Sequence, residues 1–246
     1  MFTFTRIKTF CLILALSAVS LHAMAETLKV AVGLALPPYV IQESDSGMEL
    51  DIVREALKLS GHSIEPVYLP FARVSKSLQD KQVDAALTVT EASGLSNVHF
   101  SESHITYQNA AVSLASKGFK IDTVSDLAGH SVIAFQNAEK YLGDSFAKMA
   151  ESNNRYSEKA KQSNQIKMLF GGRVETVVMD VNIFKYFRAA ETQVDTSAAV
   201  SIHEIFPPTD YKVGFLDASI RDQFNEGLKT LKDTGKYDEI IQRYVD

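Results

Sequence analysis

Two threonines, an aromatic–arginine pair, a strand-ending aspartate and a Gln-Asn-Ala turn are the residues of this chain best placed to do chemistry. Thr88 and Thr90 close the apolar run VDAALTVT, where hydroxyls can donate or accept at the end of a buried strand or simply cap it. Phe71 and Arg73 follow Pro70 at a helix start. Phe71 either joins the stripe Val74 and Leu78 or presents its ring to a ligand. An arginine in a helix first turn is opposed by the macrodipole, so Arg73 is either a solvated surface residue or is aimed at an anionic group. Asp180 ends the run TVVMD and is a natural N-cap for the helix beginning at Val181. Gln136, Asn137 and Ala138 form a turn between a strand and a helix, and Asn137 suits a position with positive φ. Tyr39 closes a PPY loop.

These side chains suit binding rather than bond-making. The five histidines beyond residue 25, His62, His99, His104, His130 and His203, show neither HxH nor HExxH spacing, so a metal site is not expected. There is no G-x-S-x-G, and Glu49 with Asp51 reads as a helix first turn whose acids complement the dipole. No catalytic residue and no cofactor is assigned.

The N-terminus has the pattern of an export signal. Arg6 and Lys8 precede the apolar run Phe10 to Leu21, and Ala23-Met24-Ala25 has the A-x-A form of a cleavage site. Removing the first 25 of 246 residues leaves 221. It also takes away two basic residues and no acidic one, so 25 basic against 30 acidic becomes 23 against 30, net −7. Cys11, the single cysteine, goes with the leader, which excludes disulfides and thiolate sites from the mature chain. The acidic balance without a basic cluster argues against nucleic acid and anionic membranes as partners.

The elements that must position the candidate residues alternate strand and helix. Leu28 to Val32 reads as a strand ended by Gly33, and Leu50, Val53 and Leu57 mark a helix before Gly61. Ile64 to Leu69 is a second strand, and Val83 to Leu87 a third, buried on both faces. The pattern restarts after Ser103, with strands at Asn109 to Ala115, Val132 to Phe135 and Thr176 to Met179. Helices are expected near Ala138, at QIKMLFGGR and from Val181 to Ala190. A strand from Tyr211 to Leu216 precedes a helix whose stripe is Ile220, Phe224, Leu228 and Leu231. A last helix spans Tyr237 to Tyr244. The expected division is a leader at 1–25, a first lobe at 26–112, a second at 113–209, and a return to the first at 210–246. A cleft between the lobes would be the site.

Seven segments in this order carry a resemblance: PPY at 37–39, GMELDIVREALKLSG at 47–61, VDAALTVT at 83–90, HFSES at 99–103, DLAGHSVIAFQN at 126–137, GGRVETVVMD at 171–180 and FNEGLKTLKDTGKYDEIIQRY at 224–244. Together they resemble the extracellular solute-binding proteins of family 3, the periplasmic receptors of polar amino-acid ABC transporters. The resemblance implies an α/β, two-lobed type II periplasmic binding protein fold with two crossing hinge strands. It also implies a monomer that takes a small polar solute to an inner-membrane ABC permease. It places Tyr39, Phe71, Thr88 and Thr90 at the ligand, gives Asp180 to a ligand ammonium, and gives the backbone N–H groups around Gln136, Asn137 and Ala138 to a carboxylate. The family's carboxylate-binding arginine is missing: Ser93 and Gly94 stand there, and Arg73 is the candidate substitute. Two other functions share the scaffold, an enzyme resembling cyclohexadienyl dehydratase and a sensor for a membrane signalling protein.

Overall fold

The computed structural model describes residues 26–34 and 36–245, so the export signal and Cys11 lie outside the described residues. The chain opens with β1 (Thr27–Gly33), α1 (Met48–Lys58), β2 (Ser63–Leu69), α2 (Phe71–Gln79) and β3 (Ala85–Val89). The short strands β4 (His99–Phe100) and β5 (Ile105–Tyr107) follow. A second set comprises β6 (Asn109–Leu114), β7 (Val132–Phe135), α3 (Ala138–Tyr141), α4 (Asp144–Ser152), β8 (Tyr156–Lys159), α5 (Ser163–Phe170), β9 (Thr176–Asp180), α6 (Val181–Ala190) and β10 (Val200–His203). The chain then returns through β11 (Thr209–Phe215), α7 (Ala218–Asp233) and α8 (Lys236–Val245).

The strands form two sheets, one in each lobe. The first has the order β2-β1-β3-β11-β4, with β5 also paired to β11, and the second has the order β10-β6-β9-β7-β8. In each, three parallel strands are flanked by antiparallel ones: β11 runs against β3, and β6 runs against β9. The chain passes between sheets at Gln108 and again between β10 and β11. Gln108 ties these passages together, donating through Nε2 to the carbonyls of Asn109 and Phe206, each at 2.9 Å.

Connectivity marks the strand ends at which open α/β sheets take ligands. In the first sheet the order reverses at β1, so the crevice lies at the carboxyl ends of β1 and β3. In the second it reverses at β7, between the ends of β7 and β9. These four strand ends and the segments that follow them carry Tyr39, Thr88 and Thr90, Gln136 to Ala138, and Asp180.

The PPY loop is held by α1 itself. The first N–H groups of a helix have no partner within it. Here the Pro38 carbonyl accepts from Met48 at 2.9 Å, and the Tyr39 carbonyl accepts from Glu49 at 3.1 Å. Gly47 makes this approach possible. Its φ is +132°, and a Cβ there would sit 2.3 Å from the Tyr39 carbonyl oxygen. Gly47→Ala should therefore cost about 3 kcal/mol, combining backbone strain with overpacking. Urea unfolding should show a lower midpoint at unchanged slope; a loss below about 1 kcal/mol would mean that the loop is not fixed by this contact.

Candidate functional site

Two buried carboxylates, one in each lobe, organise the cleft. Asp180 is 3% exposed. Its Oδ1 accepts the N–H groups of Asn182 at 2.8 Å and Ile183 at 3.1 Å, which is the expected N-cap of α6. The same oxygen accepts the Tyr39 hydroxyl at 2.9 Å, and Oδ2 accepts the Gln108 N–H at 2.9 Å. The loop after β1, the end of β9 and one passage between the sheets therefore meet on one side chain.

The second carboxylate is Glu49, which the sequence presents as a dipole-complementing acid in a first turn. The structure buries it completely. Its Oε1 accepts the Thr88 hydroxyl at 2.7 Å and lies 3.0 Å from His104 Nε2, while Oε2 accepts the Tyr107 hydroxyl at 2.8 Å. Glu49 shares a face with Ile52, Val53 and Ala56 at helical spacing, and all are buried. An acid inside an apolar stripe was the available signal.

A stacked pair of tyrosines joins the two acids. The Tyr39 and Tyr107 rings lie 3.7 Å apart at 20°, with one hydroxyl on Asp180 and the other on Glu49. Burial, reinforced by the neighbouring carboxylates, pushes both phenols up, so they remain donors. Burial also pushes Asp180 up to about 6, opposed by the N–H and hydroxyl groups it accepts. Tyr211 packs edge-on against Tyr107 with centroids 5.0 Å apart.

Phe71 does not join the buried stripe of α2, which is Val74, Ser77 and Leu78. The ring is 38% exposed, lies over Gly33, where a Cβ would be 3.2 Å from Cδ2, and meets Tyr141 of α3 edge-on at 6.4 Å. Phe71 and Tyr141 thus face each other across the cleft. Thr88 sits in β3 with φ +56° and gives its hydroxyl to Glu49. Thr90 begins a 3-10 turn in which its N–H donates to Ser93 Oγ at 3.0 Å and its carbonyl accepts the Ser93 N–H. Arg73 is exposed, and among the described residues its guanidinium has no hydrogen bond or ion pair. Asn137 has φ +63°, as its place in the turn required; Gln136 is exposed and Ala138 buried. The Asn137 N–H is taken by Glu158 at 2.6 Å, a partner that the sequence gave no reason to expect.

A profile of the bacterial extracellular solute-binding proteins, family 3, matches residues 28–246. The chain belongs to that family. An arginine-binding periplasmic protein of Mannheimia haemolytica is 26% identical over 223 residues, covering 85% of this chain and 87% of the relative. Among solved structures, the ligand-binding core of GluR0 in complex with L-glutamate has a TM-score of 0.70 at 18% identity, covering 91% of this chain and 99% of that one. A histidine kinase sensor domain with similarity to periplasmic binding proteins has a TM-score of 0.69 at 17% identity, covering 89% and 96%. These likenesses place the fold among type II periplasmic binding proteins.

The raised pKa of Asp180 has a definite sign in stability. Folding favours its protonated form, so the contribution is present at low pH and lost as pH rises from about 4 through about 6. The difference from the ordinary 3.8 corresponds to about 3 kcal/mol. Asp180→Asn keeps a cap and cannot titrate, so its stability relative to wild type should improve by about 2–3 kcal/mol between pH 4 and pH 7. Parallel urea-unfolding stabilities of the two proteins over that range would contradict the assignment.

Proposed function

We propose that this chain is a periplasmic solute-binding protein that captures a small polar solute, an amino acid or a related amine or carboxylate, and delivers it to an inner-membrane ABC permease. The single observation that carries the reading is the family match across residues 28–246, supported by a fold that brings the strand ends of the two sheets together at Tyr39 and Asp180. The arginine-binding relative supports a nitrogen-rich solute. An acidic cleft wall with aromatic rings supports a cation, which gains from carboxylates and from ring faces alike.

In this reading Phe71 packs on the ligand, Thr88 and Thr90 line the first crevice, and Gln136, Asn137 and Ala138 line the second. Asp180 contributes its negative charge beside the ligand while its oxygens hold Tyr39 and the cap. Arg73 is free to turn toward an anionic group on a longer solute. A leader cleaved after Ala25 would deliver the chain to the periplasm, where it acts as a monomer.

A thermal-shift screen of amino acids, polyamines and small carboxylates should give at least one saturable stabilisation, about 2.7 kcal/mol at a hundredfold excess over Kd. No shift with any of them would count against solute capture. Phe71→Ala should weaken the bound solute by about 1–2 kcal/mol, the range for a ring face on a cation. Its melting temperature without ligand should stay near wild type, because the ring is not buried. Unchanged affinity would return Phe71 to the surface. Neighbouring permease and ATPase genes are expected for transport; a lone kinase or cyclase gene would favour signalling.

A further inference from the structure

The turn between β7 and α3 stands at the cleft mouth, because Tyr141 of the same short helix faces Phe71 of the other lobe. Its backbone donors are nevertheless committed within the second lobe. Glu158 accepts the Asn137 N–H at 2.6 Å and the Glu139 N–H at 3.3 Å, and its Oε1 also takes the Tyr156 hydroxyl at 2.8 Å. Register explains the arrangement. In the parallel β7–β8 ladder Ala134 pairs with Glu158 and Phe135 with Lys159, so Glu158 lies beside the end of β7 where the turn begins. A carboxylate of the chain's own therefore fills these donors and sets a negative charge where an anionic ligand group would have to arrive.

No cation at the buried acids offsets this, and Arg73, unpaired among the described residues, lies beside Phe71 on the opposite lobe from the turn. Among the described residues neither Glu49 nor Asp180 has a Lys or Arg nitrogen within 4.0 Å, and Glu49 is paired only with His104. Lys212, on β11, is engaged by Glu91 at 2.6 Å. A ligand carboxylate entering here would lose its water, meet like charge and find the turn's N–H groups occupied, a costly combination. A cation meets the Glu158 charge and the rings of Phe71 and Tyr141.

We propose that Glu158 is a specificity-determining residue: by occupying the Asn137 and Glu139 N–H groups it excludes carboxylates, and the cleft selects a cationic amine or guanidine that carries none. The proposal rests on the solute-binding reading of this cleft.

Matched pairs test it. Agmatine differs from L-arginine, and cadaverine from L-lysine, only by the carboxylate. Calorimetry at pH 7 should show the decarboxylated member binding at least tenfold more tightly in a pair that binds. In Glu158→Ala that preference should shrink, because the N–H groups are released. Glu158→Gln removes the charge but keeps one acceptor oxygen for these N–H groups, so it should shrink the preference by less than alanine does, and it serves if the alanine variant does not fold. Arginine or lysine bound as tightly as its partner would overturn the proposal and leave solute capture intact, as would a bound solute drawn only from the carboxylates. An unchanged preference in a folded Glu158 variant would remove Glu158 from the account. No binding of any amine, amino acid or carboxylate would overturn the proposal and the solute-binding reading together.

Discussion

The hydrogen bond from the Tyr39 hydroxyl to Asp180 is the constraint on which the rest of this structure depends. A carboxylate buried to 3% exposure is tolerated only if its lone pairs are filled, and leaving one unfilled costs on the order of 1–3 kcal/mol or more. Asp180 draws donors from α6 and from Gln108, and one more from the opposite lobe, that of Tyr39. Tyr39 in turn lies flat on Tyr107, whose hydroxyl satisfies Glu49. Two acids that would be costly to bury alone are thus held by one stacked pair of phenols, and the lobes are joined beside the first passage of the chain.

Once this knot is set, the elements around it have little freedom. Gly47 allows the Tyr39 carbonyl to cap α1, which carries Glu49 back into the knot from below. Asp180 starts α6, and Gln108 spans both passages between the sheets. The same residues that solve the burial problem place the four strand ends around one cleft. At its mouth remain the Phe71 and Tyr141 rings and the turn whose N–H groups Glu158 accepts.

Much of this was legible in the sequence where periodicity is strong. Val132 to Phe135 and Val181 to Ala190 were read with the bounds that the structure gives, and the whole stripe Ile220, Phe224, Leu228 and Leu231 is buried. Strands β4, β5, β8 and β10 were missed because two to four residues cannot display an alternation and these, unlike the equally short VIAF of β7, are not continuously apolar; β8 is also only partly buried. One helix was expected after Asn137, but Gly143 at φ +85° divides it into α3 and α4. Glu49 stands in the first turn as expected, but acids are ordinary there, so its burial showed only in its phase with the apolar face. Glu158 had no local signal at all. Its partners are set by the β7–β8 register, which is a long-range property.

A double-mutant cycle on the knot tests this account most directly. Tyr39→Phe, Asp180→Ala and the double variant would be compared with wild type by urea unfolding at pH 7. If the bond between the lobes is the constraint described, the two changes should be strongly non-additive, with a coupling of about 1.5–3 kcal/mol, as for a hydrogen bond to a buried charge. Costs that simply add, with coupling near zero, would mean that Tyr39 and Asp180 act independently and that the lobes are held by something else.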